Sequence, residues 1–198
     1  KIYNSLSSEC FGYQEKKINE NSRFAPYSPY GLSKSISYYL TKYYRDTHKM
    51  WVSNGILFNH ESPLRPDNYV IKKIIKEIKL LKNKKSKKLK VGNVNIYRDW
   101  GWAPEFIEYI YKITELKKSD DFIIATGRTT KLKDLIIFLF KKFNVKIKNR
   151  IQIDRKLFRK NEIKKNFADV TKLKNKFNSK PNMQIFSILE KMSSNTYY

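Results

Sequence analysis

At 198 residues and 40% hydrophobic content the chain can bury one good core, or one core and a small lobe, and nowhere does it carry the roughly 18 to 20 consecutive apolar residues of a membrane span. A single cysteine, Cys10, excludes an internal disulfide and any multi-cysteine metal site, so no metal is expected. The net charge of +24 comes from lysines spread over the whole length beside Asn, Ile and Tyr, a compositional bias rather than one basic face, and no nucleic-acid-binding signature accompanies it.

The chain begins at Lys1 rather than Met, and its first stretch already reads as a strand, so truncation at the N-terminus is expected. KIYNSLSSE has no apolar core behind basic residues, which makes the cytoplasm the default address. Residues 1–7 form that strand, ending in small polar residues, and 11–28 an irregular loop with Pro26 near its end. Pro29 suits the first turn of a helix. From Tyr30 to about Lys49, Ile36, Tyr39, Leu40, Tyr43 and Tyr44 recur at helical spacing. Trp51 to Phe58 is an apolar run of strand length, and strand, helix, strand is the alternation of a parallel α/β sheet.

Further on, the pattern predicts a helix over Val70–Lys82, a short strand over Lys88–Val91, and a helix over Ala103–Glu115 led by Pro104. A buried strand follows at Asp121–Thr126, then a helix at Leu132–Phe143 and two short elements near Arg150–Asp154 and Gln184–Met192. The lysine run from Lys82 to Lys90 reads as a solvated helix end.

Tyr30 and Lys34 form Y-x-x-x-K at the start of the first helix. Four residues apart, they project from one helical face, so the ammonium can favour a phenolate and make the tyrosine a plausible general base. Alone the pair is weak in a chain so rich in both residues. Its position strengthens it, because it follows by about twenty residues a strand that ends in Ser7, Ser8 and Glu9.

Taken together, S-S-E-C-F-G from Ser7, S-P-Y-G-L-S-K from Ser28, N-G-I-L-F-N-H-E-S-P from Asn54, R-D-W-G from Arg98, A-T-G from Ala125 and F-R-x-x-E from Phe158 resemble the GDP-mannose 4,6-dehydratases, in order and with similar spacing. The ten-residue N-G-I-L-F-N-H-E-S-P stretch is the most specific of these.

The resemblance implies an α/β fold: the C-terminal part of an NAD(P)-binding Rossmann domain, a doubly wound parallel sheet, with a smaller mixed α/β substrate lobe. Residues 1–58 would be the Rossmann part and 59–198 mainly the GDP-sugar lobe, with 121–145 returning to the main sheet. It implies NADP as cofactor, GDP-mannose as substrate, and a homo-oligomer, dimer or tetramer, of the intact protein, with neither nucleic acid nor membrane as partner. By the same likeness Tyr30 would take the proton of the sugar 4-hydroxyl, Lys34 would tune Tyr30 and hold the nicotinamide ribose, and Ser7 would hydrogen-bond the 4-oxygen. Glu9 would take the proton from C5 once C4 is a ketone and help expel the C6 hydroxyl. His60 and Arg65 match positions that contact NADP, and Asn59, Lys73, Arg98, Arg159 and Glu162 match positions around the GDP-sugar.

The six glycines include no G-x-x-G-x-x-G turn, so these residues alone are expected not to turn over substrate. Leu64, Trp102 and Ser179 stand where most relatives carry Arg, His and Trp, and loss of the tryptophan is expected to loosen the C-terminal end. The runner-up is another nucleotide-sugar dehydratase or an epimerase of the same superfamily, against which Glu9 argues; an inactive basic binding protein on this fold is the reading from another class.

Overall fold

The computed structural model describes residues 1–158 and 161–194. In chain order its elements are β1 (Ile2–Ser7), α1 (Pro29–His48), β2 (Val52–Leu57), β3 (Asn59–Glu61), α2 (Val70–Lys82), β4 (Leu89–Val91), β5 (Tyr97–Arg98), β6 (Trp100–Trp102) and α3 (Ala103–Thr114). Then come β7 (Asp121–Ile124), β8 (Thr130–Lys131), α4 (Leu132–Lys142), β9 (Ile151–Ile153), α5 (Thr171–Phe177) and α6 (Ile185–Ser194). Each strand and helix read from the sequence is present, with ends shifted by at most two residues. Four strands of two or three residues and α5 were not foreseen. Strands that short show no alternation, and in α5 only Leu173 is buried among lysines.

The main sheet is parallel throughout, in the order β1-β2-β7. Its register aligns Ser7 with Leu57 and Leu57 with Ile124, so the three strands end at one level. β2 is buried over five of its six residues and β7 over all four, as expected where both faces are covered. On one face, Phe122 and Ile124 pack with Phe106, Tyr109 and Ile113 of α3. On the other, Leu6, Ile56 and Ile123 meet Phe11, Ile18 and Phe24 of the long loop and Tyr38 of α1.

α1 forms as its sequence dictates but turns the opposite way. Ser28 caps its N-terminus, Pro29 occupies the first turn, and Lys49 stops it in the left-handed region with φ 55°. The apolar stripe of Ile36, Tyr39, Leu40 and Tyr43 faces outward, each residue more than half exposed. The sheet-facing side carries small and polar residues instead. Ser37 donates to Asn4 Oδ1 at 3.0 Å and Thr41 to Asn54 Oδ1 at 2.9 Å, while Asn4 Nδ2 reaches the same Asn54 oxygen at 2.8 Å. Asn54 Nδ2 donates to Asp121 Oδ1 at 2.8 Å, and Arg45 grips both oxygens of Asp121 at 2.6 and 2.8 Å. The helix is tied to all three strands by this polar seam, which leaves its oily side without a cover from the described residues.

β7 joins the main sheet, whereas α4, which follows it, packs into a second and larger apolar cluster with α2 and α6. Ile71, Ile74, Ile75 and Ile78 of α2, Leu135, Leu139 and Phe140 of α4, and Ile188, Leu189 and Met192 of α6 form its centre. The parallel pair β4 and β9 closes one side, and the parallel pair β3 and β6 leads into it from the end of β2. Trp102 is buried in this cluster. Ser179 accepts a hydrogen bond from the Tyr109 hydroxyl at 2.8 Å and donates to the Phe177 carbonyl at 3.1 Å. No helix among the described residues is long and apolar enough to cross a membrane.

Candidate active site

In open parallel sheets, ligands bind beyond the carboxyl ends of the strands. Here the ends of β1, β2 and β7 lie side by side, and Ser7, Glu9, Asn59, His60 and Arg65 stand at or follow the ends of β1 and β2. Ser7 is the last residue of β1, and its Oγ accepts the Glu9 backbone N–H at 3.2 Å, capping a single 3-10 turn over Ser8–Phe11. That turn presents Glu9 to the start of α1. The Ser28 hydroxyl donates to Glu9 Oε2 at 2.9 Å while its oxygen accepts the Gly31 N–H at 3.0 Å. Ser28 opens the S-P-Y-G-L-S-K motif, and a serine before Pro-Tyr at a helix start is a capping signal.

Tyr30 follows in the first turn of α1 and is 53% exposed, open to an incoming molecule. Lys34 extends back to β1, where its Nζ donates to the Ser5 carbonyl at 2.8 Å, and it stands 5.9 Å from the centre of the Tyr30 ring. Ser7, Glu9, Tyr30 and Lys34 therefore sit on one strand end and one helix start that hold each other by hydrogen bonds.

A second group lies just beyond β2. Asn59 and His60 open β3, paired with Trp100 and Gly101. His60 Nδ1 is 2.9 Å from the Phe58 carbonyl and its ring lies 5.0 Å from Phe106. Burial pushes its imidazole below the ordinary histidine range, against the pull of that carbonyl, which favours the neutral ring, and a carbonyl facing Nδ1 calls for the tautomer that carries its proton there. Arg65 stacks on Tyr69, 3.9 Å from the ring centre, and its Nε stands 3.4 Å from the buried Glu61 Oε2. Neither atom completes a hydrogen bond. Burial consequently outweighs the guanidinium, and the Glu61 carboxyl is pushed up to about 7.

That perturbation predicts a pH-dependent stability. An unfolded glutamate titrates near 4.3, so ionising Glu61 in the folded state becomes costly as pH rises from there and the cost levels off above about 7. Glu61→Gln should match the parent in urea denaturation near pH 5 and exceed it at pH 8, by on the order of 2 kcal/mol. An advantage that does not grow with pH would refute the assignment.

The third group comes from the second lobe. Arg98 NH2 meets Glu162 Oε1 at 3.4 Å, both half-buried. Lys73 stands in the first turn of α2, half-buried, and Arg159 lies outside the described residues. Next to Arg98, the buried Asp99 accepts hydrogen bonds from the backbone N–H groups of Thr126, Gly127 and Arg128 and from the Thr126 hydroxyl, at 2.7 to 3.1 Å. Gly127 takes φ 74° to present its amide, a conformation that suits glycine. The loop after β7 is thereby fixed to the strand that carries Arg98, and Lys180 also donates to its Thr126 carbonyl. R-D-W-G and A-T-G, far apart in sequence, form one latch. Among the described residues no group of three or more His, Cys, Asp or Glu could hold a metal ion.

The family model described as GDP-mannose 4,6 dehydratase matches residues 1–192. GDP-mannose 4,6 dehydratase 1 of Arabidopsis thaliana is 33% identical over 192 residues, covering 97% of this chain and 53% of that protein. The structure of RMD from Pseudomonas aeruginosa complexed with NADPH superposes with a TM-score of 0.86 at 20% identity, over 98% of this chain and 65% of that one. A dTDP-glucose 4,6-dehydratase from Bacillus anthracis in complex with NAD gives 0.87 at 18% identity, over 98% and 60%. These two share the NAD(P)-binding α/β fold. The chain spans about half the length of the curated relatives it matches, and with the family model covering almost all of it, this chain belongs to the GDP-mannose 4,6-dehydratase family.

Proposed function

We propose that the full-length protein is a cytoplasmic GDP-mannose 4,6-dehydratase, a carbon–oxygen lyase that uses NADP and forms GDP-4-keto-6-deoxymannose. The observation that carries this reading is the joining of Glu9, through Ser28, to the helix start that bears Tyr30 and Lys34. An oxidation at C4 needs a proton acceptor such as Tyr30; an elimination across C5 and C6 needs a second one, and a carboxylate stands beside it.

Tyr30 takes the proton of the 4-hydroxyl, with Ser7 donating to the same oxygen and Lys34 holding positive charge close by. A bound NADP, which Lys34, His60 and Arg65 would hold, would supply the hydride acceptor for C4 and the hydride donor for C6. With C4 a ketone, C5–H is acidic. Glu9 takes that proton and passes it to the C6 hydroxyl, which departs as water, and once hydride is returned to C6 the proton that Tyr30 removed goes to C5. The sum is loss of one water with no net change of the cofactor.

The residues fit a dinucleotide at the strand ends. The Arg65 guanidinium, planar on Tyr69, has an Nε with no completed hydrogen bond and suits a phosphate. The Lys34 ammonium suits ribose oxygens, and the His60 Nε2, an acceptor when Nδ1 holds the proton, suits a hydroxyl or an amide N–H. Arg98, Arg159, Lys73, Asn59 and Glu162 are assigned to the GDP-sugar, two arginines for the diphosphate and a carboxylate for hydroxyls. Incubating the full-length protein with GDP-mannose and NADP tests the reading by mass spectrometry. Loss of one water without accumulation of reduced cofactor is expected; an unchanged GDP-mannose in a folded, NADP-binding protein refutes it.

A homo-oligomer, dimer or tetramer, is part of the same proposal, supported by the outward apolar stripe of α1. Contiguous exposed apolar surface marks interaction sites, and two copies of one stripe can pair about a twofold axis. Ile36→Glu with Leu40→Glu should reduce the mass measured by light scattering to that of the monomer while leaving the far-ultraviolet circular dichroism intact. An unchanged oligomeric mass refutes pairing through α1.

A further inference from the structure

We propose that Ser28 is a positioning residue for Glu9, orienting the carboxylate that takes the C5 proton. The inference rests on the dehydratase reading above and adds a residue to its machinery.

The hydroxyl of Ser28 is fixed from three sides. Its backbone is extended, φ −137° and ψ 154°, the conformation to which a residue before proline is restricted, and Pro29 is that proline. Its oxygen accepts the Gly31 N–H, so one lone pair is engaged by the helix and the hydroxyl proton is directed away from it. The 2.9 Å contact to Glu9 Oε2 is where it goes. A donor with its rotor already set imposes direction on a carboxylate more firmly than a solvent molecule does, and bonds to ionised acceptors are the stronger ones.

The surroundings extend the argument. A Cβ at Gly31 would stand 2.7 Å from the Glu9 carbonyl oxygen, so the turn bearing Glu9 and the first turn of α1 meet backbone to backbone. Tyr30 lies between Ser28 and Gly31. The residue acting on the 4-hydroxyl and the one acting on C5 are thus referred to a single rigid helix start, with Ser28 the side-chain link between them. Two proton transfers at adjacent carbons need such common registration, since a misplacement of about 1 Å can cost on the order of 100-fold in rate.

Ser28→Gly separates this role from capping, because glycine at an N-cap is only a few tenths of a kcal/mol worse than serine yet has no hydroxyl. Ser28→Thr keeps both functions. The full-length protein and both variants would be given GDP-mannose and NADP in deuterated water. Hydride removal is followed by nicotinamide absorbance, proton removal by deuterium at C5, and elimination by loss of water. For Ser28→Gly we expect hydride removal within about twofold of the parent, KM unchanged, and C5 exchange and water loss slowed about 10- to 100-fold, with Ser28→Thr restoring both.

Turnover of Ser28→Gly at the parent rate overturns the role of Ser28 and leaves the dehydratase reading standing. Equal losses of hydride removal and C5 exchange also overturn it, showing damage to the whole site. A parent protein that leaves GDP-mannose unchanged overturns the dehydratase reading, and this inference with it.

Discussion

Asp121→Ala is expected to remove about 3–5 kcal/mol of stability, a large part of the roughly 5–15 kcal/mol that holds a domain folded. Asp121 is the node of the polar seam under α1. Arg45, whose side chain is 16% exposed, binds both its oxygens, and the fully buried Asn54 donates to one of them. Truncating Asp121 leaves a mostly buried guanidinium and a buried amide without that partner, and the desolvation cost of both remains. α1 cannot compensate by apolar packing, because its oily side points away from the sheet. The loss should appear as a lower urea midpoint with an unchanged slope. Arg45→Lys, a point charge that cannot grip two oxygens, should cost less, about 1–2 kcal/mol. A loss under about 1 kcal/mol for Asp121→Ala would mean the seam is not what fixes the helix.

The same pair sets a direction with pH. Burial is the largest influence on the Asp121 carboxyl and pushes it up, but the Arg45 hydrogen bonds and charge, with Asn54, together bring it below the ordinary aspartate range. A depressed carboxylate contributes stability that is fully present above its unfolded value, about 3.9, and is lost as pH falls through the folded value. Acid unfolding of the parent should therefore be steepest below pH 4, and Asp121→Asn, already weakened at neutral pH, should lose less over that interval. Glu61 acts in the opposite sense, so the parent should be most stable between the two titrations.

The layered β1-α1-β2 arrangement was legible because long apolar runs and helical spacing are local signals. Tyr30 and Lys34 were legible for the same reason, and Ser7 and Glu9 because they end a strand in a specific motif. What stayed hidden was direction. The periodicity of α1 locates a helix face but not the side on which the sheet lies, and here the face that meets the sheet is Ser37, Thr41 and Arg45. Asp121 and Asn54 read as ordinary members of buried strands; their charge and amide acquire meaning only when Arg45 arrives from 76 residues away in sequence. The Asp99 latch and the Glu61–Arg65 contact were likewise invisible, since the partners of Asp99 are backbone amides that no residue pattern announces. Ser28 is the intermediate case: its capping role was readable, and its bond to Glu9 was not.

Glu9→Gln in the full-length protein is expected to slow loss of water by about 10²–10⁴-fold while hydride removal from C4 persists. The substitution keeps the side-chain length, and an amide oxygen can still accept from Ser28, so the turn at Ser8–Phe11 and the start of α1 should keep their places. What is removed is the basicity proposed to take the C5 proton. The reaction should then halt after oxidation, with reduced nicotinamide and a 4-keto sugar accumulating and no deuterium entering C5 from deuterated water. Tyr30→Phe should behave differently, abolishing hydride removal itself, because the 4-hydroxyl would lose its proposed proton acceptor at the first step. A Glu9→Gln protein that still exchanges C5 would assign that proton to another base and leave Glu9 as a positioning group; one that loses hydride removal along with exchange would place Glu9 in the oxidation. The two variants read together thus separate oxidation at C4 from the elimination proposed for the carboxylate on the turn after β1.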